Sequence, residues 1–246
     1  MTSSTPPTLI VALDVPDSRR ALGLRERLDG VVDYFKVGKE LFTAAGPQIV
    51  ETLHRSGVRV SLDLKFHDIP STVARAVAAA CRLGVSLVDV HASGGEAMMT
   101  AAAESARKES QAIDEPRGSH RRVLVFGVTV LTHLADEDLR SLGIVASSRE
   151  QVVRLARLAH RSGLDGVVAS AHEVAAVREA TADELAVLVP GVRPTWASQS
   201  HDQTRIATPA EAARAGARYL VVGRAITSQL DPRGAARRIL DEIESA

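Results

Sequence analysis

Eight short apolar or β-branched runs punctuate the chain: Leu9 to Leu13, Tyr34 to Val37, Val58 to Leu64, Ser86 to Val90, Val123 to Val128, Gly166 to Ala169, Leu185 to Val189 and Tyr219 to Val222. Runs of this length, rich in valine and leucine, predict strands buried on both faces. Between them the apolar residues change period. Val73, Ala76, Val77, Ala80 and Gly84, or Val152, Leu155, Ala156 and Ala159, recur at helical spacing and predict amphipathic helices. Four of the predicted helix-to-strand joints share a glycine, in Ser56-Gly57-Val58, Leu83-Gly84-Val85, Ser162-Gly163-Leu164 and Ala215-Gly216-Ala217. Glycine there reads as the left-handed residue that ends a helix.

Alternating strands and helices require parallel pairing with right-handed crossovers. Eight such units in 246 residues match the usual length of a closed (β/α)₈ barrel, an α/β fold of TIM-barrel type. No G-x-G-x-x-G loop follows the first strand, which counts against an open doubly wound sheet. The expected organisation is one domain over residues 1–246, with 1–7 as a flexible N-terminal extension. The stretch Ile113 to Arg122, with Pro116 and Gly118, reads as a lengthened loop without catalytic work.

Composition narrows the function classes. With 45% hydrophobic and 24% charged residues the chain has the material for a packed core. Thirty basic residues balance 30 acidic ones, so no overall field draws the protein to nucleic acid or to an anionic membrane, and any affinity for phosphate must be local. The lone cysteine, Cys81, lies in a helical pattern and reads as a buried thiol. The N-terminal residues lack a signal-peptide pattern and no apolar run approaches about 18 residues, so the expected location is the cytoplasm.

The chemistry concentrates in Ser61-Leu62-Asp63-Leu64-Lys65-Phe66-His67-Asp68-Ile69-Pro70, at the end of the third predicted strand. Strand alternation puts Asp63 and Lys65 on one face and Leu62 and Leu64 on the other. In a barrel the apolar face packs on the helices, so the two charges aim into the barrel mouth, where this fold carries its active sites. A buried structural ion pair is the plain alternative. Asp14 at the end of the first strand, Lys36 in the second, and Asp89 and His91 at the end of the fourth reach the same mouth by the same alternation. Singly, each has a duller role as a cap, an ion-pair partner or a core histidine. Together they form a functional pattern. Late in the chain, Pro190-Gly191-Val192-Arg193-Pro194 and Val222-Gly223-Arg224-Ala225 follow the seventh and eighth strands, the loops that commonly bind phosphate in barrels. Gly223 allows close approach to the backbone, a following helix start offers N–H groups and a positive dipole end, and Arg224 supplies a forked donor.

The Asp63-x-Lys65-x-x-Asp68-Ile69-Pro70 segment resembles the Asp-x-Lys-x-x-Asp signature of the orotidine 5′-phosphate decarboxylases. The resemblance covers nearly the whole chain. Leu13-Asp14, Phe35-Lys36-Val37-Gly38, His91-Ala92-Ser93-Gly94-Gly95, Leu131-Thr132, Pro190-Gly191-Val192-Arg193, Asp202-Gln203 and Val222-Gly223-Arg224 resemble the family's other landmarks in their usual order. The resemblance implies a carboxy-lyase that converts orotidine 5′-phosphate to UMP and CO₂, the last step of UMP synthesis, without metal or other cofactor. It assigns Asp14 and Lys36 to the ribose hydroxyls, Thr132 to the pyrimidine, and Arg193, Gln203, Gly223 and Arg224 to the phosphate. Asp63, Lys65 and Asp68, with Lys36, make up the charged array, and Lys65 is the proton donor. It further implies a homodimer in which Asp68 and Thr72 reach into the partner's site. Flanking carboxylates favour the ammonium form of a lysine, which suits an acid better than a Schiff-base nucleophile. Pro194 to His201 is the expected lid, with no role assigned to Trp196, Ser198 or His201.

Two other readings stay open from the sequence. One is a magnesium-dependent sugar-phosphate decarboxylase or aldolase of the same barrel superfamily, which resembles this chain at Asp-x-Lys-x-x-Asp; its second strand typically supplies a carboxylate ligand where Lys36 stands here. The other is a non-catalytic nucleotide-binding barrel.

Overall fold

A computed structural model of the protein describes residues 5–112, 122–197 and 207–246. Its strands are β1 (Thr8–Ala12), β2 (Tyr34–Gly38), β3 (Arg59–Phe66), β4 (Leu87–His91), β5 (Leu124–Val128), β6 (Gly166–Val168), β7 (Ala186–Pro190) and β8 (Tyr219–Val222). They pair in parallel in chain order, and β8 returns to β1 to close the barrel. All eight predicted strands are present. The third runs on to Phe66, so Lys65 lies within the strand, whereas β1 stops at Ala12 and leaves Asp14 two residues beyond its end.

The glycine joints behave as their spacing predicts. Gly57, Gly84, Gly163 and Gly216 all have positive φ, between 73° and 93°. Each follows the last turn of a helix and turns the chain back toward the next strand.

Strand alternation separates two apolar layers. Val11, Phe35, Leu62, Val88 and Val125 face outward and pack with helix residues such as Val77, Met99, Val152 and Ile239. The opposite faces carry Ile10, Tyr34, Leu87, Phe126, Leu188 and Val221, which form a separate cluster filling the lower barrel. Tyr219 meets the rings of Tyr34 and Phe126 edge-on, at 6.3 Å and 5.7 Å between centroids. This plug fixes where chemistry can occur. Two residues beyond Tyr34 and Leu87 on the same faces stand Lys36 and Asp89, so the interior changes from apolar to ionisable as the strands approach their C-terminal ends.

Of the expected loop Ile113 to Arg122, only Arg122 is among the described residues, where it pairs with Asp165. Cys81 is buried, and burial pushes its thiol up to about 11, as suits an inert core residue. Among the described residues, no helix is long and apolar enough to cross a membrane.

Candidate active site

The C-terminal mouth of the barrel opens into a cavity of about 1050 Å³. Asp14, Lys36, Asp63, Lys65, Thr132, Arg193, Gly223 and Arg224, all expected at the site, line it. Gln203 and the lid residues Ser198 to His201 lie outside the described residues. Asp68 and Thr72 do not line this cavity. Asp68 is exposed, accepts a hydrogen bond from the Ile69 N–H at 2.6 Å, and leads into the helix Pro70–Arg82, whose first turn carries Thr72.

The charged residues form a chain of alternating sign. Lys36 Nζ donates to Asp14 Oδ1 at 2.9 Å and stands 3.2 Å from Asp63 Oδ2. The other oxygen of Asp63 accepts from Lys65 Nζ. Register explains the assembly: Lys36 is flanked by Ala12 of β1 and Ser61 of β3, two small side chains that leave room for its stem. Gly38 has a similar reason to lack a side chain, since a Cβ there would lie 2.8 Å from both Asp14 Oδ1 and Lys36 Nζ.

Burial opposes the charged form of Lys36, yet Asp63 and Asp14 outweigh it and raise the ammonium's pKa above the ordinary lysine value. Burial likewise works against ionisation of Asp63, but Lys36 and then Lys65 hold its carboxyl far below the usual range. Both therefore stay ionised at neutral pH. Asp89, almost fully buried at 4% exposure, behaves oppositely: burial pushes its pKa well above that of a free carboxyl, and the neighbouring Asp63 charge pushes it further.

The end of β3 departs from a regular strand. Lys65 has φ of +54°, a left-handed conformation costing a non-glycine residue about 1–2 kcal/mol. Its N–H donates to Asp89 Oδ1 at 2.7 Å. Sequence alternation found Asp89 at the mouth but gave it no role. The left-handed turn left no sequence signal, because lysine is not a residue that announces one.

His91, expected from the same alternation to reach the mouth, does not line the cavity. Its ring is 5.3 Å from that of His67, and burial, His67 and Lys65 lower its pKa to about 4. The unfolded chain then binds a proton near pH 6.5 that the folded chain refuses until about pH 4. His91 is neutral at no cost above pH 6.5, and stability falls as pH drops through that interval. Thermal melts of His91→Gln should accordingly lose less Tm between pH 6.5 and about 4 than wild type. Parallel Tm curves would show the imidazole to be unimportant.

On the opposite rim, Gly223 leads into the helix Arg224–Thr227. At four residues this helix is too short for a strong dipole, which corrects the weight that the sequence reading gave to one; the local donors are backbone N–H groups and the arginine itself. Val192 and Ala207 form a parallel bridge, and Arg193 N–H donates to Ala207 O at 2.9 Å. The residues just before the expected lid are thus tied to Ala207, six residues beyond its end. Trp196 lines the cavity with the Arg238 guanidinium 4.3 Å from its ring centroid.

Fold and site define the class first: a (β/α)₈-barrel enzyme with paired side-chain charges held at the C-terminal mouth of the barrel. The chain belongs to the orotidine 5′-phosphate decarboxylase / HUMPS family, whose model matches residues 7–239. It is 52% identical over 237 residues to the orotidine 5′-phosphate decarboxylase of Moorella thermoacetica, covering 96% of this chain and 92% of that protein. It is 50% identical over 238 residues to that of Syntrophotalea carbinolica, covering 97% and 95%. Among solved structures, orotidine 5′-phosphate decarboxylase from Lactobacillus acidophilus superposes with a TM-score of 0.83 at 34% identity, covering 97% of this chain and 99% of that one.

Proposed function

We propose that this chain decarboxylates orotidine 5′-phosphate to UMP as a single barrel domain, using Lys65 as the acid and no metal. The observation that carries the reading is the Asp14–Lys36–Asp63–Lys65 chain, in which each interior charge has an opposite partner. Its geometry also speaks against the magnesium-dependent rival. The Lys36 ammonium sits between Asp14 and Asp63, two carboxylates a divalent ion would recruit, and its charge repels a cation there.

The reaction breaks the bond between ring carbon 6 and the carboxylate. CO₂ departs, and the electron pair stays on carbon 6 in an orbital the ring π system stabilises poorly. An ammonium fixed beside that carbon lowers the energy of the developing carbanion more than that of the substrate. Lys65 then transfers a proton to carbon 6 and becomes a neutral amine, to be reprotonated from solvent. Asp63 holds the ammonium in place, and its charge opposes the substrate carboxylate until CO₂ leaves. Asp14 and Lys36 take the ribose hydroxyls and Thr132 the pyrimidine, while Arg193, Gln203, Gly223 and Arg224 take the phosphate. Binding of that remote dianion supplies energy for closing the 194–201 loop over the ring.

A homodimer with shared sites completes the reading. Asp68 and Thr72 lie outside their own cavity beside Ile69, an apolar residue 65% exposed. This arrangement suits Asp68 of the partner subunit entering the neighbouring site. The cytoplasm, where a UMP-forming step would operate, is the proposed location.

Purified protein given orotidine 5′-phosphate should release UMP and CO₂ in equal amounts, and should use orotidine, which lacks the phosphate, at least about 10³-fold less efficiently. Failure to form UMP would refute the reading, and equal use of orotidine would refute the phosphate's part in it. Replacing Arg224 with Ala removes a charge-assisted donor, so KM should rise roughly 10- to 100-fold with a smaller change in kcat. An unchanged KM would place the phosphate elsewhere.

A further inference from the structure

The strand ladder between β3 and β4 is uneven where the charged chain is built. Leu62 pairs with Val88, and the next matched pair is Phe66 with Val90. Three residues of β3 (Asp63, Leu64 and Lys65) therefore oppose a single residue of β4, Asp89. Two extra residues on one strand deprive the backbone of regular ladder partners. The side chain of Asp89 meets that need, accepting the Lys65 N–H at 2.7 Å where the chain turns left-handed. Asp89 also lines the cavity and is nearly inaccessible to water.

We infer that Asp89 is a positioning residue for the reaction, a buried side chain that holds the bulged end of β3 and thereby aims both Asp63 and Lys65 into the cavity. One oxygen accepts from the Lys65 backbone. The carboxyl also hydrogen-bonds the Asp63 side chain, with Asp89 as the donor. That direction follows from the two groups' opposite behaviour: the hydrogen bond between them favours ionised Asp63 and protonated Asp89. A second ionised carboxylate at this spot would pull the Lys65 ammonium away from carbon 6 and repel Asp63. A neutral donor–acceptor orients Asp63 without adding charge.

The inference rests on the decarboxylase reading, and the wild-type assay on orotidine 5′-phosphate separates failure of that reading from failure of this one. Asparagine offers the same acceptor and a neutral donor in the same shape, so Asp89→Asn should keep kcat within about fivefold of wild type, the scale of one altered hydrogen bond. Asp89→Leu has similar bulk and neither function. Its kcat should fall roughly 10²-fold or more through misplacement of the reacting groups, while KM stays near wild type because the ribose and phosphate contacts are untouched. If the leucine chain does not fold, Asp89→Ala takes its place with the same expectation. An Asn chain as slow as the Leu chain would show that an ionised carboxylate is needed and overturn the inference. A Leu or Ala chain with wild-type kcat would overturn it as well, as would a defect confined to KM.

Discussion

Lys65→Ala protein, folded and able to bind UMP, is expected to turn over orotidine 5′-phosphate at least about 10⁴-fold more slowly than wild type, because one substitution removes both a fixed cation and a general acid. The two losses compound. Without the ammonium the carbanion forms against Asp63 alone, a negative charge that disfavours it, and no other group in the interior chain is placed to supply the proton. Lys36 cannot take over, since it is held 2.9 Å and 3.2 Å from Asp14 and Asp63 and is largely buried. Steady-state kcat from UMP formation checks this, with UMP affinity as the control that the rest of the site survives. A Lys65→Ala enzyme within tenfold of wild type would move the chemistry to another residue.

The second large effect concerns assembly. Asp68→Ala should lose roughly 10²-fold in kcat, the scale of one charged group acting at a reacting centre, although Asp68 lines no part of its own chain's cavity. If the carboxylate serves the neighbouring subunit, Lys65→Ala and Asp68→Ala chains mixed after reversible dissociation form heterodimers with one intact site. That site keeps Lys65 from the Asp68→Ala chain and Asp68 from the other, while the second site carries both lesions. Random pairing makes half the dimers mixed, with one good site in two, so about a quarter of wild-type activity should return. Demonstrated subunit exchange without recovery would confine each site to one chain.

Much of this is legible in the amino-acid sequence. Each of the eight strands follows from a short apolar run, because parallel strands covered on both faces have to be apolar almost throughout. The four αβ glycines followed from a steric rule that few other residues satisfy. Period-two alternation placed Lys36, Asp63 and Lys65 in the mouth correctly, and Asp89 with them. The failures share a cause. His91 obeys the same alternation but ends against His67, because a side chain at a strand terminus is directed by the loop that follows. The left-handed turn at Lys65 depends on a register mismatch with β4, and pairing register between distant segments is not written in either one. Asp89 draws its meaning from that mismatch. The dipole expected after Gly223 shrank because the helix there is only four residues long, a length that pattern alone does not reveal. Gln203 and the outer lid lie beyond the described residues.

In the proposed mechanism fixed ammonium and carboxylate groups, with no metal ion, carry the decarboxylation. The most direct test is kcat/KM for orotidine 5′-phosphate measured on the same preparation before and after exhaustive treatment with EDTA, and again after adding excess Mg²⁺. The three values should agree within error. Activity that disappears with the chelator and returns with the metal would contradict the account and give Asp14 and Asp63 to a cation in place of Lys36.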